Sequence, residues 1–135
     1  MKRFILLITL ALCVTSCTKD EQKTTSQKIC GKWEVVRWEH FKEGVLETSQ
    51  DGNFTDQIYL FSEEGAVKIF QKDGSVKEYA FSFDEPTQTI QIPKIDKKYI
   101  VISISNTEMK WQLDSWAVGR EGAIAYQSYY YLTRK

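Results

Sequence analysis

The chain has few of the residues on which catalytic and metal sites are usually built. Its 135 residues include one histidine, His40, and three cysteines. A catalytic base or a metal ligand needs partners at defined spacing, and His40 has none that the sequence identifies. The 18 basic residues equal the 18 acidic ones, so the chain lacks the basic excess of nucleic-acid-binding proteins. The sequence therefore predicts neither an enzyme nor a nucleic-acid-binding protein, and it predicts no cofactor.

The chain also lacks a hydrophobic run long enough to cross a membrane. The longest uncharged apolar stretch, FILLITLALCV, covers residues 4–14, whereas a transmembrane helix needs about 20 residues. It follows Lys2 and Arg3 and leads into Val14-Thr15-Ser16-Cys17. A positive start, a short apolar core and small residues together are typical of a signal peptide.

This segment resembles the signal of bacterial lipoproteins, in which an aliphatic residue and two small residues precede an invariant cysteine. The resemblance implies that residues 1–16 are removed, that the thiol of Cys17 receives a diacylglycerol, and that its new amino group is acylated. Two or three acyl chains are enough for stable anchoring, so we expect the membrane to be a partner through the lipid on Cys17. An ordinary secretory signal with a cysteine at this place by chance is the alternative.

Residues 17–28 are predicted to be the lipidated cysteine and a flexible linker. TKDEQKTTSQK, residues 18–28, has no apolar side chain and cannot contribute to a core. Thr18, rather than an aspartate, follows the cysteine. In many Gram-negative bacteria this argues against retention of a lipoprotein in the inner membrane. Lys19-Asp20-Glu21 resembles a tag that exports lipoproteins to the cell surface. We therefore expect a lipoprotein of the outer membrane. The sequence does not decide whether it faces the periplasm or the cell surface.

Removal of residues 1–16 changes the composition of the remaining chain. Without Lys2 and Arg3, 16 basic residues face 18 acidic ones, which gives a formal charge of −2. Cys13 leaves with the signal and Cys17 carries lipid, so Cys30 is the single free cysteine. An internal disulfide is therefore excluded, and the domain depends on its core for stability.

Residues 29–135 are predicted to form one all-β domain. Apolar side chains alternate with period two, as in Ile100, Ile102 and Ile104, which is the pattern of strands with one buried face. Short turns such as the one at Asp73-Gly74 favour antiparallel neighbours, and two longer loops are predicted over 42–55 and 114–125. Closure into an eight-stranded up-and-down barrel would remove both sheet edges. The eight predicted strands cover residues 33–38, 57–61, 66–70, 79–83, 90–92, 100–104, 109–113 and 126–133.

The beginning of this domain, Gly31-Lys32-Trp33 in GKWEVVRW, resembles the Gly-x-Trp signature that opens lipocalins. The chain is similar in this respect to the short lipocalin-like domains of bacterial lipoproteins. The resemblance implies that Gly31 turns the chain into the barrel base and that Trp33 plugs this end. It also implies that Arg134, near the end of the last strand, packs across Trp33.

A ligand pocket is predicted near the open end of the barrel. Period two places Arg37 inward with Trp33 and Val35, where its guanidinium could meet the head group of an acid. A bulge at Val35-Val36 would instead turn Arg37 outward and Trp38 inward and favour a solid core. The candidate pocket residues are Arg37, Trp38, Tyr59, Tyr79 and Phe81.

Two functions follow from these features. The first is a lipid-anchored lipocalin-like protein that binds a small apolar or amphipathic ligand at the cell envelope. The second is a filled-core barrel that acts as a protein- or glycan-interaction module. For the second function Trp116, in the loop over 114–125, is the candidate contact with a partner, whose identity the sequence does not provide.

Replacing Cys17 tests the lipid anchor. We expect Cys17→Ala to release the protein from washed membranes, because the acyl chains would have no attachment site. Cell fractionation and the intact mass of the purified protein measure this, and Cys30→Ala is the matched control that should keep both the acyl mass and the membrane association. Undiminished membrane association of Cys17→Ala would contradict the lipoprotein interpretation.

Overall fold

The computed structural model describes residues 23–53, 55–113 and 126–135. In this part of the chain one short helix, α1, precedes ten antiparallel strands, and a 3-10 turn at Pro93–Ile95 joins β7 to β8. The elements are α1 Thr25–Ile29, β1 Gly31–Lys42, β2 Val45–Asp51, β3 Gln57–Phe61, β4 Ala66–Gln71, β5 Val76–Ala80, β6 Ser82–Asp84, β7 Thr89–Ile92, β8 Lys97–Ile104, β9 Glu108–Leu113 and β10 Tyr126–Arg134.

The strands form a nearly closed antiparallel barrel. Hydrogen-bonded neighbours follow the order β5-β4-β3-β1-β10-β9-β8-β7-β6, and β2 pairs with β1 off this path. The two ends of the order, β5 and β6, are consecutive in the chain and separated only by Phe81. The backbone N–H of Phe81 donates to the carbonyl of Gly65 at 2.9 Å. β5 can therefore pair with β4 while β6 pairs with β7, and the predicted all-β barrel is confirmed.

Ten strands occupy eight positions around the barrel, because two positions are each shared by two short strands. β3 pairs with the first residues of β1 and β2 with its last residues, so β2 and β3 lie end to end. β5 and β6 share a position in the same way. The prediction of a loop over 42–55 is wrong, since residues 45–51 form β2. Every residue of β2 is exposed, and a strand without a buried face has no period-two signal to read.

Helix α1 fixes the chain immediately before the barrel. The side chain of Thr24 accepts from the N–H of Gln27 at 3.2 Å, and the side-chain oxygen of Gln27 accepts from the N–H of Thr24 at 3.0 Å. This capping box satisfies two donors that a helix start otherwise leaves without partners. Residues 25–28 are therefore helical rather than linker. Among the described residues, no helix is long and apolar enough for a membrane crossing.

A β-bulge in β1 changes which side chains face inward. Val35 pairs with Leu132, and the next partners are Arg37 and Tyr131, which leaves Val36 as an extra residue. Beyond this point the alternation is shifted by one residue. Of the two alternatives for this strand, the bulge that turns Arg37 outward and Trp38 inward is therefore the one present. Arg37 is not a pocket residue, and 44% of its side chain is exposed.

A second bulge, in β8, acts in the same way. Val101 pairs with Trp111, whereas the next pair is Ser103 with Lys110. Tyr99 and Val101 are buried, but Ile102 is 48% exposed. The isoleucine alternation therefore identified the strand correctly and misassigned its inner face at Ile102.

The core fills the barrel from its base to its middle. Fourteen hydrophobic residues are buried, and Tyr79, Phe81 and Phe83 are among the half-buried ones that pack against them. The buried residues are Ile29, Trp33, Val35, Tyr59, Phe61, Val67, Ile69, Ile90, Ile92, Tyr99, Val101, Met109, Trp111 and Leu132.

Gly31, Trp33 and Arg134 lie together at the base. The guanidinium carbon of Arg134 is 4.3 Å from the centroid of a Trp33 ring, a cation–π distance. The Nε of Arg134 donates to the carbonyl of Asn106, between β8 and β9, at 2.6 Å. Gly31 has φ +124°, and a Cβ at this position would collide with Nη1 of Arg134. Glycine is therefore required at this position both by its conformation and by the space that the arginine occupies.

The same two side chains satisfy the end of α1. The last carbonyls of a helix have no partners within the helix. Arg134 donates to the carbonyls of Lys28 and Cys30, both at 2.7 Å, and Nε1 of Trp33 donates to the carbonyl of Ile29 at 2.8 Å. The helix end, the first strand and the last strand are thereby joined.

Truncation of Trp33 tests this packing. We expect Trp33→Ala to lower the free energy of unfolding by about 3–5 kcal/mol, because it removes a fully buried ring and leaves a cavity. Urea denaturation followed by circular dichroism measures the change. Val76→Ala is the control, since Val76 is 50% exposed and its loss should stay within about 0.5 kcal/mol. A loss of less than about 1 kcal/mol for Trp33→Ala would show that the ring does not plug the base.

Removal of the guanidinium is a separate test of the base. We expect Arg134→Ala to lower the free energy of unfolding by about 2–4 kcal/mol, because three carbonyls lose a charged donor and Trp33 loses its cover. Lys135→Ala is the matched control. Its ammonium forms an exposed ion pair with Glu34 at 3.2 Å, and such pairs contribute about 1 kcal/mol or less. Equal melting temperatures for Arg134→Ala and Lys135→Ala would exclude Arg134 from a structural role.

Candidate functional site

A cavity of about 220 Å³ opens at the end of the barrel opposite the base. At this end β8 begins and β9 ends, whereas β10 finishes at the base. Residues of five strands and of the turn before β3 contribute to its wall, and Lys97 lies at the rim. The lining residues are Val35, Thr55, Gln57, Tyr59, Lys97, Tyr99, Trp111, Leu113 and Tyr130.

Three aromatic rings form the inner wall of this cavity. Tyr99 and Trp111 are stacked, with centroids 4.4 Å apart and ring planes 23° apart. Tyr59 meets Trp111 edge-on at 5.3 Å and Tyr99 edge-on at 6.4 Å. Stacked and edge-to-face pairs are favourable arrangements beyond simple burial. The wall is therefore apolar and held in a defined shape.

The tyrosine hydroxyls supply polar groups to this wall. The hydroxyl of Tyr59 donates to Oε1 of Gln57 at 2.9 Å. Burial, and after it the neighbouring Tyr99, raises the pKa of Tyr59. Burial also raises the pKa of Tyr99 and that of Tyr130. These phenols are therefore neutral at pH 7, and those of Tyr99 and Tyr130 can donate their protons to a ligand.

Trp111 carries a polar group without a protein partner. Its side chain is 1% exposed, and its buried Nε1–H has no acceptor among residues 23–53, 55–113 and 126–135. A buried N–H without an acceptor costs about 1–3 kcal/mol. Trp111 therefore contributes its ring, rather than an accessible donor, to the cavity wall.

Of the five predicted pocket residues, Tyr59 lies in the cavity wall. Tyr79 and Phe81 are half-buried against the core on the base side of the barrel. Phe81 packs edge-on against Phe61, with centroids 5.0 Å apart, beside the turn between β3 and β4. The up-and-down path explains this placement, because β5 runs towards the base and its last residues pair next to that turn.

The bulge in β1 separates the other two predicted residues. Trp38 pairs with Tyr130 and shares its inner face, and it stacks on His40 with centroids 5.7 Å apart. His40 is half-buried between Trp38 and Tyr126 and shares a hydrogen bond with the hydroxyl of Ser128, 2.9 Å from its Nδ1. This aromatic stack covers the inner face of the sheet beyond the cavity.

Arg37 lies on the outer face of the barrel. Its guanidinium is 3.3 Å from Glu39 and 6.0 Å from the centroid of the Tyr131 ring. Nearby, Nζ of Lys110 is 4.6 Å from the centroid of Tyr129 and 5.1 Å from that of Tyr131. The tyrosines of β10 therefore contribute to both faces, since Tyr129 and Tyr131 are outside while Tyr130 lines the cavity.

The predicted pocket residues did not include three residues that line the cavity, namely Lys97, Tyr99 and Trp111. Trp111 was visible in the alternation of Met109, Trp111 and Leu113. Lys97 and Tyr99 have the opposite phase to the isoleucines of the same strand, which carried the stronger hydrophobic signal. The remaining candidates, Cys17 and Trp116, lie outside the described residues.

No cluster suited to metal binding occurs in the part of the chain that the structure describes, where no three His, Cys, Asp or Glu side chains are suitably grouped. Cys30 is half-buried, and its thiol donates to the carbonyl of Ser26 at 3.6 Å. Burial, followed by the charge of Glu63, raises the pKa of this thiol, which disfavours the reactive thiolate.

Comparison with known proteins yields a likeness to solved structures. No protein-family model matches the chain, and no curated protein matches it. The chain is similar to the crystal structure of a lipocalin-like protein from Bacteroides uniformis ATCC 8492, with 14% sequence identity and a TM-score of 0.49. The match covers 80% of this chain and 99% of the other.

Proposed function

We propose that the protein is a lipid-anchored lipocalin-like binding protein of the cell envelope, and that it holds a small apolar or amphipathic ligand in the cavity at the open end. The observation that carries this proposal is the cavity wall itself. It joins packed aromatic rings to the hydroxyl groups of tyrosines and to Lys97 at the rim. Ligand sites are typically apolar clefts with a few polar groups that fix orientation.

The size of the cavity limits the ligand. Its volume of about 220 Å³ is below the roughly 300–1,000 Å³ typical of pockets for drug-sized molecules. An apolar cavity of about 150 Å³ accepts benzene. The proposal is therefore a carrier for a compact molecule rather than for a long lipid.

The proposed anchor would lie on the side of the barrel base. The chain enters the barrel through α1, which is bound to the base by Arg134 and Trp33. A linker from Cys17 would therefore approach the base, and the cavity would open at the far end. In this arrangement a ligand reaches the cavity without passing the lipid. We propose the outer membrane as the location, with either of its faces possible.

A second candidate function rests on the outer face. Arg37, Lys110 and Tyr131 contribute to the lining of a groove of about 420 Å³ there. Aromatic and arginine side chains are enriched where proteins bind partners. This groove supports the alternative of a protein- or glycan-interaction module, to which Trp116 could contribute.

Filling the cavity distinguishes the two functions. We expect wild-type full-length protein, transferred from its own membranes into lipid nanodiscs, to carry a small organic mass in native mass spectrometry. Leu113→Trp should lower the occupancy at least about tenfold, because the larger ring would occupy the cavity. Gln112→Trp is the matched control, since its side chain lies on the opposite face of β9, and its occupancy should equal that of the wild type.

A bare wild-type mass that stays bare after incubation with benzyl alcohol, phenylacetate and octanol would contradict the carrier. Binding studies should then move to the outer groove.

A further inference from the structure

We infer that the cavity selects a small carboxylate with an apolar body, with its carboxylate at Lys97 and its body against the Tyr99–Trp111 wall. This inference rests on the proposed function and specifies the chemical class of its ligand. Four features of the site carry it: the sign of its charge, the order of side chains along β8, the character of its hydrogen-bonding groups, and its size.

The charge of the lining is positive. Lys97 is the one charged residue among the described lining residues, and no Asp or Glu is among them. Asp56, next to the lining residues Thr55 and Gln57, is ion-paired with Lys72 at 3.6 Å. Lys97 pairs with the buried Ile92 and so lies on the inner side of β8. An anion is therefore favoured at this mouth and a cation is opposed.

The order of side chains along β8 gives the ligand its direction. Lys97, Tyr99 and Val101 alternate on one side of the strand, before the bulge. Lys97 is exposed at the rim, while Tyr99 and Val101 are buried. The wall therefore changes from charged to aromatic to aliphatic within a few residues. A molecule with one charged end fits it with that end outward and its apolar body inward.

The hydrogen-bonding groups of the wall are suited to an acceptor-rich ligand. The hydroxyl of Tyr59 already donates to Gln57 at 2.9 Å, so the protonated phenols of Tyr99 and Tyr130 are the donors that remain. A carboxylate or carbonyl oxygen can accept from these hydroxyls. An ammonium group would in addition be repelled by Lys97.

The volume sets the length of the body. Since about 150 Å³ is enough for benzene, about 220 Å³ admits a body of roughly six to ten non-hydrogen atoms. Arylacetic acids and medium-chain acids satisfy this limit. Long-chain fatty acids would leave most of their chain outside the barrel.

Three compounds of nearly equal size test the inference: phenylacetate, phenylacetamide and 2-phenylethylamine. Titration calorimetry on the full chain in zwitterionic nanodiscs at low salt measures their affinities. We expect phenylacetate to bind about two- to fivefold more tightly than phenylacetamide, the effect of one partly exposed charge pair. The amine should bind more weakly than both. Added salt should remove most of the advantage of the acid, because it screens the pair.

Lys97→Gln should lower the affinity for phenylacetate to that for phenylacetamide and leave phenylacetamide unchanged. Lys98→Gln is the matched control, because Lys98 is the next residue on the opposite face of β8, and its affinities should equal those of the wild type. Leu113→Trp should abolish binding of both the acid and the amide, which assigns the measured binding to the cavity.

The outcomes distinguish a failure of the carboxylate inference from a failure of the proposed carrier function. Equal wild-type affinities for acid and amide, or an acid preference that survives Lys97→Gln, would overturn the inference and leave the carrier in place. No binding of any of the three compounds, together with a bare mass of the native protein, would overturn both.

Discussion

The contact between Arg134 and Trp33 is the constraint on which the rest of the structure depends. One guanidinium covers the indole and donates to three backbone carbonyls, in α1, in the residue after it and in the turn between β8 and β9. These carbonyls would otherwise lack partners at a helix end or in a turn. Because the first strand, the last strand and the incoming chain meet there, one end of the barrel is closed. Space for a ligand can therefore exist only towards the other end.

Two bulges then decide which side chains this space contains. The bulge in β1 moves Arg37 to the outer face and Trp38 to the inner face, and the bulge in β8 turns Ile104 towards the core. An extra residue shifts the alternation for the remainder of a strand. The interior consequently loses the guanidinium that a regular strand would supply. A different cation, Lys97, lies at the rim.

The cavity combines rigidity with a limited number of polar groups. The stack of Tyr99 on Trp111 and the edge contact of Tyr59 hold the rings in place, so little ordering is required when a ligand binds. The hydroxyls of Tyr99 and Tyr130 act as donors, and Lys97 supplies charge where solvent can reach it. Such a site discriminates by size and by the presence of acceptor atoms, while the exposed charge contributes a smaller, salt-dependent preference.

The amino-acid sequence by itself determined the class of fold and the closed end of the barrel. Period-two alternation located the strands, because that signal lies within short stretches of chain, and the resemblance carried by Gly31, Trp33 and Arg134 indicated the base. Residues 45–51 gave no signal, since β2 has no buried face, and the Thr24–Gln27 capping box that begins α1 was hidden in a polar segment. Only the tertiary structure decided the composition of the cavity. Bulges depend on the register between strands that are distant in sequence, and that register cannot be read from either strand alone.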